Sequence, residues 1–214
     1  MGERMLLCEG SDDKEFYEAL CREAGLKDIE VKPPARPVKS KTHAIQYLEV
    51  LLRQMNDGSL KRLGLVVDAD YAATHGLGCA GTLDKIREKL DPAGFDRPQR
   101  LSTGGLVFEH NHKKLAPVGV WIMPDNHSEG MLEDFIKTAL RSGDALHPHA
   151  CGVVSALPET RFKPIHRAKA EIATFLAWQA MPGKRLVSTV GDGLLDLAAP
   201  PCSAFTGWLR AVFP

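Results

Sequence analysis

The sequence predicts an α/β protein with a mainly parallel sheet flanked by helices and a mostly helical C-terminal elaboration. Three observations carry this. Segments of strand pattern alternate with segments of helical periodicity along the first 140 residues. The strongest apolar run, Leu63-Gly64-Leu65-Val66-Val67, is continuous rather than alternating, as expected of a strand covered on both faces. Carboxylates gather just past the ends of the apolar runs, where the ligand crevice of an open parallel sheet lies. At 214 residues the chain can bury a real core as one compact domain, read as an α/β core over 1–140 and a helical elaboration over 141–214 packed on it.

Arg4 to Cys8 reads as a first strand, and Phe16, Leu20 and Ala24 then line one face of a helix that Gly25 ends. Asp12 with Glu15 resembles a capping box and places the helix start near residue 12. A brief strand over 29–31 precedes a turn rich in proline (Pro33, Pro34, Pro37), and 42–55 reads as an amphipathic helix aligned on Ile45, Leu48 and Leu52. The buried strand over 63–67 closes on Asp68. A short helix over 83–90, strands over 106–108 and 118–123, and helices over 130–140 and 166–180 follow, the last ended by Pro182-Gly183. The aromatics and Leu209 of 205–213 would cover the core.

Composition narrows the function. With 44% hydrophobic and 25% charged residues the chain is an ordinary globular protein. Its 27 basic and 27 acidic side chains cancel, so affinity for a polyanion must come from local patches or bound metal rather than from a global field. Five scattered cysteines without a C-x-x-C pair argue against a disulfide framework or a zinc finger and for a reducing cytoplasm. No stretch approaches the roughly 20 apolar residues that span a bilayer.

The strand-end residues are acidic: Glu9 after the first strand, Asp68 and Asp70 after the buried one, and Asp125 after 118–123, with Glu133 and Asp134 on the next helix. Residues two apart on a strand share a face, so Asp68 and Asp70 can converge on one ion if the strand ends between them. Clustered carboxylates repel unless a counter-charge is supplied, and the hard, oxygen-seeking Mg²⁺ or Mn²⁺ supplies it. Asp13 has two readings, a metal ligand or an acid complementing the positive start of its helix. Only one of Glu133 and Asp134 can face the crevice, and Glu133 is preferred.

Leu6-Leu7-Cys8-Glu9-Gly10, followed by Val66-Val67-Asp68-Ala69-Asp70, resembles the Glu-Gly and Asp-x-Asp motifs of the Toprim domain shared by type IA and II topoisomerases, bacterial primases and several nucleases. Glu9 with Asp13, together with Gly130-Met131-Leu132-Glu133-Asp134, looks like the Toprim nucleases of the overcoming-lysogenization-defect type, which use an enlarged carboxylate set for two metals. The run from Glu9 through Met123-Pro124-Asp125-Asn126 to Trp208-Leu209 is similar to a family of small, stand-alone Toprim-like proteins of uncharacterised function. The resemblance implies Glu9 as general acid/base or metal ligand, Asp68 and Asp70 as metal ligands, and Asp13 and Glu133 as second-site ligands. It implies Mg²⁺-dependent phosphodiester chemistry on nucleic acid. The chain has no room for the tyrosine domain that topoisomerases add, so strand passage is not expected.

Other features compete. Asp68-Ala69-Asp70 with Gly191-Asp192-Gly193-Leu194-Leu195-Asp196 and an intervening Lys163 or Lys169 mimics the haloacid-dehalogenase-like phosphatases, although here an acidic strand–helix–strand–helix unit precedes the Asp-x-Asp. A catalytically dormant metal- or nucleotide-binding module working with a protein partner is a third class. His147-Pro148-His149-Ala150-Cys151 and His110-Asn111-His112 read as surface loops. Trp121, Trp178 and Trp208 read as packing residues, and Lys163, His166, Arg167 and Lys169 as a phosphate-binding face or a solvated helix start.

Overall fold

The computed structural model describes residues 3–34, 40–112 and 115–214. Pro37 of the proline-rich turn lies outside the described residues. The strands are β1 (Arg4–Leu7), β2 (Glu30–Lys32), β3 (Arg62–Asp68), β4 (Arg97–Arg100), β5 (Leu106–Glu109) and β6 (Val118–Met123). The helices are α1 (Ser11–Glu23), α2 (Lys41–Asn56), α3 (Gly78–Leu90), α4 (Leu132–Ala139), α5 (Leu146–Ser155), α6 (Arg167–Ala177), α7 (Ser188–Gly191) and α8 (Pro200–Val212). One six-stranded sheet runs in the order β2-β1-β3-β6-β5-β4. Its first four members are parallel, while β5 is antiparallel to β6 and β4 to β5. The fold is therefore α/β with a mostly parallel sheet, as the apolar runs imply.

The period of two along each strand sorts side chains onto two cores. Met5, Leu7, Leu63, Leu65 and Val67 face α2 and α3, meeting Ile45, Leu48, Leu52, Ile86 and Leu90. Leu6, Val66, Trp121 and Met123 face the other way, onto Phe16 and Leu20 of α1, Phe135 of α4 and Phe205, Trp208 and Leu209 of α8. Both faces of β3 are thus buried, which is why its sequence is continuously apolar. Helix α8 lies very close to the sheet because two strand-side residues lack a Cβ. A Cβ on Gly105 would stand 2.2 Å from Trp208 Cδ1, and one on Gly119 2.3 Å from Val212 Cγ2. The Trp208 indole N–H donates to the Leu106 carbonyl (3.0 Å), so the buried ring has its polar partner.

Several boundaries and three elements, β4, α5 and the four-residue α7, differ from the sequence reading. Strand β4, Arg97-Pro98-Gln99-Arg100, is exposed throughout, so no apolar alternation announces it; its proline is tolerated at a sheet edge. The His147–Cys151 segment is part of α5, which buries only Ala150 and Val154, too few to show a helical period. Helix α3 begins at Gly78 and α8 at Pro200, where proline suits the first helical turn, and α6 stops at Ala177. The α1 cap is Asp13, which accepts from the Gly10 N–H (2.7 Å), whereas Asp12 and Glu15 both pair with Arg185. Trp121 and Trp208 are core residues, but Trp178 is 38% exposed and packs at a tilt against the His149 ring.

All strands lie before residue 124, and α5 to α8 supply the C-terminal part. Among the described residues no helix is long and apolar enough to cross a membrane. The five cysteines are unpaired. The close approach of α8 yields a prediction. Gly119→Ala should lose about 1–3 kcal/mol to overpacking, whereas Gly152→Ala on α5, with nothing within 4 Å of its added Cβ, should be neutral or gain up to roughly 1 kcal/mol from helix propensity. Urea unfolding of the two variants beside the parent chain checks this.

Candidate metal centre at the strand ends

Strands β1 and β3 are parallel neighbours, so their carboxyl ends share one edge of the sheet. Glu9, two residues past β1, accepts the Asp68 backbone N–H at 2.8 Å. Asp68, the last residue of β3, accepts the Leu132 N–H at the start of α4 (3.0 Å), where the helix dipole favours negative charge. Asp13 uses one oxygen on its cap. Glu9 Oε2, Asp68 Oδ2 and Asp13 Oδ1 accept no hydrogen bond from the described residues. Glu133, in the first turn of α4, is buried and lies 3.8 Å from the Lys169 ammonium of α6.

Burial pushes all four acids up, and repulsion from neighbouring carboxylates adds to it. The Glu9 carboxyl rises to about 7, mainly through burial, with Asp13 and Asp70 adding and Lys41 opposing. Asp68 is raised well above the carboxylate range by burial and then by Glu9, Asp13, Glu133 and Asp70. Asp13 and Glu133 are also raised by burial, against the attraction of Lys169.

The strand ends between Asp68 and Asp70, yet Asp70 does not converge on this group. The strand ends at Asp68, and Asp70 sits in the left-handed region (φ 60°) while exchanging both backbone hydrogen bonds with Gly130 (2.8 and 3.2 Å). Its carboxylate is turned to the α2 side, 2.5 Å from the Lys41 ammonium. Lys41 is buried, and also donates to the carbonyls of Asp68 (3.1 Å) and Ala69 (3.0 Å) and to Thr82 Oγ1 (3.3 Å). A pocket of about 590 Å³ opens beside this pair, with Gln46, His75 and Lys85 in its wall. Sequence reasoning starts α2 at Thr42 and misses Lys41. One signal existed: a lysine in the first helical turn opposes the macrodipole and needs acceptors elsewhere.

The remaining candidates have other duties. Asp125 closes its own turn, accepting from His127 N–H, Ser128 N–H and Ser128 O–H. Asp134 caps α4 through the Met131 N–H and accepts the Tyr71 hydroxyl (2.6 Å), which leaves Glu133 as the acid beside Asp68. Asp192 pairs with Lys184, and Asp196 accepts from the N–H groups of Ala198 and Ala199. The carboxylates acting most strongly on Asp68 are Glu9, Asp13, Glu133 and Asp70. Of the basic group, Lys169 reaches the acidic cluster while Arg167 is bound to Glu171. His147 and Cys151 stand one turn apart on α5, with Nε2 and Sγ 3.5 Å apart.

Among the described residues no three His, Cys, Asp or Glu side chains converge closely enough to hold a metal ion as they stand. The donor chemistry nevertheless suits a hard cation: carboxylate oxygens that no hydrogen bond claims, on partly buried acids whose proton affinity is raised. Mg²⁺ keeps several waters and can be reached through them.

The molecule is thus an α/β protein with an acidic crevice at the carboxyl edge of its parallel strands. By sequence it belongs to a family described as protein of unknown function (DUF3226), whose model matches residues 3–214. No curated protein and no solved structure matches the chain.

The raised Glu9 carboxyl gives a pH prediction. Between its ordinary 4.5 and about 7 the folded protein holds a proton that the unfolded chain releases, so stability in EDTA should fall as pH rises through that window. Glu9→Gln should flatten the slope, as read by urea unfolding from pH 4 to 8. A divalent ion at these acids should reverse the trend, because it binds the deprotonated forms.

Proposed function

We propose that this protein binds Mg²⁺ or Mn²⁺ in the acidic crevice and performs phosphodiester chemistry on nucleic acid, as a nuclease-like Toprim protein of the cytoplasm. The observation that carries this is the Glu9–Asp68 junction: two acids from neighbouring parallel strands, locked together by a backbone N–H, each keeping an unclaimed oxygen. Glu9 and Asp68 would hold the ion, with Asp13 and Glu133 beside them. A bound ion would neutralise charge on a phosphoryl group and lower the pKa of an attached water. Glu9, whose carboxyl lies near 7 before an ion binds, would accept a proton from an ion-bound water. Lys169 adds positive charge where a phosphate backbone would approach.

A second reading is a catalytically dormant metal- or nucleotide-binding module acting beside a protein partner. It is favoured by the lack of a converged three-ligand group among the described residues.

Calorimetric Mn²⁺ titration, run alongside cleavage of single-stranded and duplex DNA and RNA, tests the proposal. Asp68→Asn should weaken Mn²⁺ binding by roughly 10-fold or more and remove cleavage with it. Glu9→Gln should lose about 10²–10⁴-fold in turnover while retaining more of the ion. A parent chain that binds no Mn²⁺ refutes the metal reading. Binding without cleavage, alone or with a co-expressed partner, leaves the dormant module. Hydrolysis of phosphate monoesters only would point to a phosphatase.

A further inference from the structure

We propose that the Lys41 ammonium is a built-in cation occupying the place of a second metal ion at Asp70, so that the protein carries one divalent-ion site and not two. The proposal deepens the metal reading above and rests on it for the count of ions, but the cage around Lys41 can be tested separately.

The side chain is nine-tenths buried and meets four oxygens from three sources: the Asp68 and Ala69 carbonyls at the end of β3, the Asp70 carboxylate just beyond, and the Thr82 hydroxyl of α3. An ammonium has three protons, so four acceptors at 2.5–3.3 Å use all of its donor capacity. Carbonyl, carboxylate and hydroxyl oxygens are also the donors a hard cation selects. Here the cation arrives tethered to the first residue of α2, against the positive end of that helix. The oxygen cage offsets that unfavourable placement. A divalent ion at the same carboxylate would meet the Lys41 positive charge 2.5 Å from the carboxylate oxygen it needs.

The two acids of the Asp-x-Asp pair are therefore divided. Asp68 turns to α4 and keeps an unclaimed oxygen, whereas Asp70 turns to α2 and is neutralised within the chain. Lys41 is a positioning residue: by holding the carbonyls of Asp68 and Ala69 it fixes the end of β3, from which Asp68 presents its carboxylate.

The test counts ions by calorimetry and Mn²⁺ electron paramagnetic resonance in the full chain. The parent should bind one Mn²⁺, and Asp70→Asn should leave that count and its affinity within about threefold. Lys41→Met should gain a second Mn²⁺, absent again in the Lys41→Met/Asp70→Asn double variant, and added Mn²⁺ should raise the melting temperature of Lys41→Met in the same Asp70-dependent way. Two ions on the parent, or an ion lost on Asp70→Asn, overturns the proposal, and this comparison stands even if Lys41→Met does not fold. If the parent binds no Mn²⁺, the metal reading fails. A Mn²⁺ gained by Lys41→Met then still supports the cage, and no gain overturns it.

Discussion

The hydrogen bond from the Asp68 backbone N–H to the Glu9 carboxylate is the contact on which the acidic edge depends. It joins the ends of two parallel strands just where their ladder stops, and it fixes one acid against the residue that carries the other. Burying carboxylates side by side is unfavourable, because water is removed and like charges approach. The backbone recovers part of that cost through the N–H groups of Gly10, Asp68 and Leu132. The remainder appears as raised proton affinity at Glu9, Asp13, Asp68 and Glu133. The crevice therefore favours protons on its acids, and the cation proposed above would compete for the same oxygens.

Charge is divided across the sheet in the same way as packing. On the α1 and α4 side the acids face one another, with Lys169 at the margin. On the α2 and α3 side a single acid, Asp70, meets a buried lysine. What separates the sides is one turn of backbone: Ala69 is buried in the α2–α3 core, and Asp70 takes a left-handed conformation that aspartate tolerates better than most residues. The Gly130 bridge holds that turn and sets the start of α4 beside it.

The C-terminal helices belong to this arrangement. Lys169 of α6 is the cation nearest Glu133, and α8 seals the sheet face above α1 and α4 with Phe205, Trp208 and Leu209. The glycines at 105 and 119 let α8 approach the strands closely enough for that seal.

Sequence by itself determined the α/β class, the continuous apolar strands β3 and β6, and the placing of Glu9 and Asp68 at strand ends. Those features follow from local periodicity, which any segment carries within itself. Strand β4 and helices α5 and α7 were not legible, because an exposed edge, a helix with two buried residues and a single four-residue turn leave too little apolar signal. The parting of Asp68 from Asp70 was decided only by tertiary structure. The strand does end between them, but the turn that follows, left-handed at Asp70 and bridged to Gly130 some sixty positions away, swings the second carboxylate to the other side. Lys41 likewise becomes a counter-ion only when α2, α3 and the end of β3 meet, since a buried charge takes its partners from whatever the topology brings into reach.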